Sequence, residues 1–250
     1  MKNYLEKTIR KASTVALKYF NQLDSLKVDH KGVKDLVSEA DIEVEKYLRK
    51  NLLEKYPDFG FWGEESGQIE GNTRWIVDPI DGTHSFIRGQ YFWSISIALE
   101  INGDIQLGAV FAPALNDLYI AAKGEGAWKN DKRISISKTD QLKQSMVATG
   151  FACLRDNLEE NNLERFSRIA LKTMDQRRYG SAALDICLVA DGSFDAFWEQ
   201  HLNLYDIAAG CLIAKEAGAS VTDFKGNPGI FPSEVLITNG KVLEEIIPLM

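Results

Sequence analysis

The sequence predicts a mixed α/β protein, with an α+β N-terminal half built on an antiparallel sheet and an α/β C-terminal half. Three observations lead there. Two segments near the N-terminus carry apolar residues at helical spacing, residues 75–136 read almost entirely as strands, and beyond about residue 140 strands alternate with helices.

In residues 4–20, Leu5, Ile9, Ala12, Ala16 and Tyr19 recur at helical spacing with Lys and Arg between them, which predicts an amphipathic first helix. Ser38-Glu39-Ala40-Asp41 matches a capping box and opens a second helix over 39–55, whose buried stripe is Val44, Tyr47, Leu48 and Leu52. The chain turns at Pro57. Strands are expected at 75–77, 92–99, 107–111, 118–121 and 133–136, with Asn102-Gly103-Asp104 as a hairpin turn. The second half then reads as a strand at 146–149, helices at 159–173 and 181–190, a strand at 194–198, a helix at 205–217, strands at 220–222 and 235–238, and a final helix. Two units are expected, 1–140 and 141–250. No Pro/Gly/Ser-rich linker separates them, so they should pack as one rigid body, and no internal repeat is present.

Composition narrows the function classes. Hydrophobic residues at 45% and charged residues at 26% exclude a disordered chain. A formal net charge of -7 argues against a general nucleic-acid binder, because binding to phosphate backbones is driven by Lys and Arg. An acidic protein that takes a phosphorylated substrate needs cations or backbone N–H groups to offset repulsion. Cys153, Cys187 and Cys211 are odd in number and widely spaced, so neither a disulfide framework nor a zinc site is expected, and a reducing cytoplasm fits. Neither an apolar leader nor an apolar run of about 18 residues occurs, so no membrane span or export is expected.

The most informative segment is Trp75-Ile76-Val77-Asp78-Pro79-Ile80-Asp81-Gly82-Thr83. An apolar strand delivers Asp78, Pro79 fixes a turn, and Asp81 can return to the same side. Two such carboxylates repel unless a cation lies between them, and Mg²⁺ would make them a shared ligand set with the Ile80 carbonyl. Gly82 and Thr83 can open a short helix toward Phe86 whose first N–H groups face an anion. The same residues also suit a plain Asx-type turn. Glu64 and Glu65, after Phe59-Gly60-Phe61-Trp62, read equally as a solvated loop, and Asp206 as the N-cap of a helix beginning with small residues.

Taken together and in order, Gly63-Glu64-Glu65-Ser66, the 75–83 segment and Tyr205-Asp206-Ile207-Ala208-Ala209-Gly210 resemble the inositol monophosphatase family. The likeness runs over nearly the whole chain, through Gly124-Glu125-Gly126-Ala127, Gly180-Ser181-Ala182-Ala183-Leu184 and Glu216-Ala217-Gly218-Ala219. It implies a layered αβαβα sandwich of the sugar-phosphatase type, a homodimer, and two to three Mg²⁺ ions. Glu64, Asp78 and the Ile80 carbonyl would hold one ion; Asp78, Asp81 and Asp206 a second; and Glu64 a weaker third through waters. Thr83 would orient the attacking water, with Asp41 bonded to it. Gly82, Thr83, Ala182, Glu199 and Asp206 would meet the substrate, and Lys31 stands where the family places a lysine near the metals. Tyr205 in place of the usual tryptophan, and His84-Ser85 after Thr83, depart from the pattern without removing a ligand. His30, His84 and His201 are expected at or near the surface.

The implied activity is Mg²⁺-dependent, lithium-sensitive hydrolysis of inositol 1-phosphate by metal-activated water. The same scaffold also suits histidinol phosphate, fructose 1,6-bisphosphate or 3′-phosphoadenosine 5′-phosphate. A regulatory binding protein that keeps the fold is the rival from another class.

Overall fold

Helix α1 (Lys2–Phe20) buries Leu5, Ile9, Ala12 and Ala16 completely, the stripe its spacing dictates. Strands β1 (Val28–His30) and β2 (Leu36–Ser38) pair antiparallel and lead into α2 (Glu39–Lys55), where Ser38 and Asp41 close the expected capping box. The computed structural model describes residues 1–30, 36–154, 159 and 161–250, so Lys31 lies outside the described residues.

Next come β3 (Gly60–Gly63), β4 (Gly67–Ile69), β5 (Thr73–Asp81), the short α3 (Thr83–Ile87), β6 (Ser94–Ile101), β7 (Asp104–Ala112), β8 (Asp117–Ala122), β9 (Gly126–Lys129) and β10 (Lys132–Arg133). They form one sheet in the order β10-β9-β8-β7-β6-β5-β3-β4, antiparallel except where β3 runs parallel to β5. The second half supplies β11 (Met146–Thr149), α4 (Leu163–Ala170), β12 (Asp175–Arg177), α5 (Ala182–Ala190), β13 (Ala196–Gln200), α6 (Leu204–Glu216), β14 (Ser220–Thr222), β15 (Glu234–Thr238) and α7 (Leu243–Ile246). Its sheet has the order β12-β11-β13-β15-β14, with β11 parallel to both neighbours and β15 antiparallel to both of its own.

The layers follow from which faces are apolar. On one face of the large sheet, Trp75, Val77, Ile95, Ile97 and Leu99 pack against α1 and α2. On the other, Ile76, Ala98 and Val110 join a core shared with α5, α6 and the smaller sheet. A third cluster, including Ile169, Trp198, Leu236, Val242 and Ile246, covers the far side of that smaller sheet with α4 and α7. The order is helix, sheet, helix, sheet, helix, the expected αβαβα sandwich. A sheet covered on both faces explains why β5 and β6 read as near-continuous apolar runs.

Small residues let α6 sit close. A Cβ on Gly108 would lie 2.9 Å from the Ala209 carbonyl oxygen, and one on Gly210 3.1 Å from Ile186. Among the described residues no helix is long and apolar enough to cross a membrane.

Differences from the sequence expectation are local. Strand β5 runs on to Asp81, α4 is shorter than 159–173, and the strand expected at 133–136 is only Lys132–Arg133, paired with an unanticipated β9. Strands β3, β4 and β9 were hidden because each contains or adjoins glycine and none alternates over enough residues to register.

Candidate active site

The site begins with an interruption in β5. Its register with β6 shifts between Asp78 and Asp81, at Pro79, which has no N–H to give the ladder. Asp78 Oδ1 accepts the Ile80 N–H at 3.0 Å within this bulge. Residues three apart on a regular strand face opposite ways, yet here Asp78 and Asp81 both line one cleft. Glu64 follows β3, the parallel neighbour, and its N–H donates to the Val77 carbonyl at 3.2 Å, bringing its side chain to the same cleft.

Helix starts supply the other acids. Asp206 is the third residue of α6, not its N-cap: Asn203 caps, and Asp206 Oδ2 accepts the Asn203 N–H at 2.6 Å. Asp41 occupies the same position of α2, where Oδ2 accepts the Ser38 N–H at 2.9 Å and Oδ1 accepts the Thr83 hydroxyl at 3.2 Å. Capping and contact with Thr83 therefore use different oxygens of one carboxylate. The Thr83 hydroxyl also lies 3.1 Å from the Ile80 carbonyl oxygen.

Charge is lopsided in this cleft. Glu64, Asp78, Asp81, Asp185, Glu199 and Asp206 line it, against Arg178 and His84 as the basic lining residues that are described. Asp78 is 2% exposed, and its carboxyl is held well above the usual carboxylate range, first by burial and then by Glu64, Asp81, Asp206 and Asp41. Burial also pushes Asp41 up to about 6, assisted by Glu64 and opposed by the Ser38 hydrogen bonds. Among the described residues no three His, Cys, Asp or Glu side chains close into a ready metal cage. The fit to a cation rests on donor chemistry: hard oxygen donors crowded together and destabilised by mutual repulsion, which a divalent ion such as Mg²⁺ relieves.

The opposite wall comes from the second half. Gly82 adopts φ 96°, and a Cβ there would sit 3.1 Å from the carbonyl oxygens of Gly180 and Phe92, so glycine keeps β5 and the α5 start in close approach. Ala182, the first residue of α5, lines the cleft. Glu199 is buried despite its charge: it is 5% exposed, and Oε1 accepts the Ala152 N–H at 2.8 Å. His84 and His201 are exposed, as expected.

Sequence reasoning missed several participants. Ser181 donates its hydroxyl to Asp81. Asp185 is 1% exposed within the cleft wall, its carboxyl raised well above the usual range by burial, then by Asp81 and Glu199. Glu45 accepts two N–H bonds from the loop that carries Glu64. The available signal was an acid standing on an otherwise apolar helical stripe, true of both Glu45 in α2 and Asp185 in α5.

Comparison with known proteins identifies the family and the fold. A sequence profile of the inositol monophosphatase family matches residues 1–249. The chain is 38% identical over 248 residues to "Putative Nus factor SuhB" of Neisseria meningitidis serogroup B, covering 98% of this chain and 95% of the relative. It is 38% identical over 227 residues to "Inositol-1-monophosphatase" of Rhizobium meliloti, covering 90% and 85%. The crystal structure of extragenic suppressor protein suhB from Bartonella henselae superposes with a TM-score of 0.93 at 35% identity, covering 99% of this chain and 96% of the other.

Proposed function

Because the chain belongs to the inositol monophosphatase family, we propose that it is a Mg²⁺-dependent phosphomonoesterase whose best-fitting substrate is inositol 1-phosphate. The observation that carries the reading is Asp78, buried at the centre of four other carboxylates in a solvent-open cleft, an arrangement that calls for bound cations. In this proposal Glu64, Asp78, the Ile80 carbonyl, Asp81 and Asp206 hold two to three Mg²⁺ ions. When bound, the ions supply charge neutralisation for the phosphate, a lowered pKa for the attacking water and stabilisation of the leaving oxygen.

The protein's own groups do the positioning. Thr83 presents its hydroxyl oxygen to the attacking water while donating its proton toward Asp41 Oδ1. As that hydroxyl proton moves to Asp41 Oδ1, the Thr83 oxygen takes up the proton released by the attacking water, so the Asp41 carboxylate is the final acceptor of the relay. Gly82 and Thr83 border the phosphate, while Ala182, Glu199 and Asp206 face the organic part of the substrate. The assignment of the first ligands to a 1–140 unit and of Asp206 and Glu199 to a 141–250 unit belongs to the same proposal. Lithium sensitivity, a homodimer, cytoplasmic residence and a role for Lys31 are proposed on family resemblance alone.

The test is phosphate release from inositol 1-phosphate, histidinol phosphate, fructose 1,6-bisphosphate and 3′-phosphoadenosine 5′-phosphate, each with and without Mg²⁺. Inositol 1-phosphate should show the highest kcat/KM, and only with Mg²⁺. Preference for another of the four would keep the phosphatase and change its substrate. A relative named as a Nus factor favours one second reading, a regulatory binding protein, and absence of release from all four would turn the proposal to it.

A further inference from the structure

We infer that Glu45 is a positioning residue that sets the backbone of the loop carrying Glu64, and so tunes metal affinity; the inference rests on the phosphatase reading above. Glu45 lies one helical turn beyond Asp41, which puts both acids on one face of α2. Both are 1% exposed. Asp41 reaches Thr83, whereas Glu45 reaches the 63–66 loop: Oε2 accepts the Glu65 N–H at 2.8 Å and Oε1 the Ser66 N–H at 2.6 Å. The preceding N–H, that of Glu64, donates to the Val77 carbonyl.

Three successive N–H groups are thus tied, two of them to one buried carboxylate seated in a concavity of backbone donors. Charge-assisted bonds of this kind hold geometry more firmly than neutral ones. Gly63 shows how closely the acid fits: a Cβ there would lie 2.4–2.6 Å from the Glu45 carboxyl atoms. One helix therefore places two working groups, Thr83 through Asp41 and Glu64 through Glu45. An amide at position 45 keeps only one of the two accepting oxygens and turns its own NH₂ toward the N–H that the other had held.

The test measures Mg²⁺ binding by calorimetry on the full chain, beside thermal unfolding in EDTA and phosphate release. Glu45→Gln should unfold cooperatively, bind Mg²⁺ about 10–100-fold more weakly, the usual range when a residue supporting a ligand is lost, and raise the Mg²⁺ needed for half-maximal turnover while leaving KM for substrate at saturating Mg²⁺ unchanged. Gly63→Ala keeps every charged group and should reproduce the weakening by displacing Glu45. In a Glu45→Ala background Gly63→Ala should add little, since no carboxylate remains to displace. Mg²⁺ affinity within twofold of wild type in cooperatively folding Glu45→Gln or Gly63→Ala, or additive losses in the double variant, would overturn the inference alone. A wild type that neither binds Mg²⁺ nor releases phosphate would sink the phosphatase reading and this inference with it.

Discussion

Asp81 and Ser181, one hundred positions apart in sequence, are joined by a 2.7 Å hydrogen bond from the serine hydroxyl to Asp81 Oδ2. The same oxygen accepts the Ala183 N–H at 2.7 Å, so the carboxylate sits on the positive end of α5. Ser181 also caps that helix by accepting the Leu184 N–H at 3.3 Å. A candidate metal ligand from the large sheet is therefore oriented by the first turn of a helix from the other half.

Ser181→Ala removes both the cap and the donor to a charged acceptor. The cap contributes about 1 kcal/mol and the charged bond about 1.5–3 kcal/mol. For a chain of this size the thermal midpoint should drop roughly 5–15 °C, and turnover should fall because Asp81 loses the serine hydrogen bond that orients it. Calorimetry showing no change in midpoint would mean that the bond does not support the interface between the halves.

Asp81→Asn keeps an oxygen for Ser181 and Ala183 but removes one charge from the cleft. The fold should persist, with a thermal midpoint near that of wild type, while Mg²⁺ affinity and turnover both collapse. Near-normal Mg²⁺-dependent activity in this variant would remove Asp81 from the ligand set.

The parts of the site that could be read from sequence are those in which chemistry is local. Asp78, Pro79, Ile80 and Asp81 declare paired carboxylates within four residues, though the sequence reads as a turn what the structure makes a bulge, and Asp206 declares itself at a helix start. Glu45 and Ser181 do not, because their meaning depends on partners 20 and 100 positions away. The helices and the long strands of the large sheet were legible because burial on one face or both leaves a strong apolar pattern. The Gly-Phe-Trp-Gly strand that delivers Glu64 was not, since four residues bounded by glycines carry too little periodicity.

A pH prediction follows from the crowded acids of the metal-free protein. Burial raises Asp41 to about 6, so the folded state holds this proton more tightly than the unfolded chain. Its contribution to stability is complete below the unfolded pKa of about 4 and is lost as pH rises through about 6. Asp185, whose carboxyl burial raises in the same direction, adds to the loss. In EDTA the thermal midpoint of wild type should therefore fall across this window relative to Asp41→Asn, whose amide does not titrate. Added Mg²⁺ should lift the wild-type midpoint more at pH 7.5 than at pH 5, since its ligands must be ionised to bind. An Mg²⁺-induced shift independent of pH would contradict the carboxylate assignment.

The last prediction separates substrate choice from chemistry at Glu199. The residue lies within β13, which is buried along its whole length, lines the cleft, and spends Oε1 on the Ala152 N–H. A charged acceptor at this wall can bind polyol hydroxyls, each such bond contributing about 1.5–3 kcal/mol, equivalent to roughly a tenfold to hundredfold change in an equilibrium constant. Glu199→Gln retains an oxygen for Ala152 but loses the charge, so kcat/KM for inositol 1-phosphate should fall by that factor. A simple aryl phosphate, with no hydroxyls to bind, should be little affected. Gly150→Ala gives an independent probe, because a Cβ there would lie 2.0–2.2 Å from the Glu199 carboxyl atoms and must displace them; it should show the same substrate-selective loss. Equal losses on both substrates would move Glu199 into the reacting centre, and no loss on either would leave it as an anchor for the turn at Ala152.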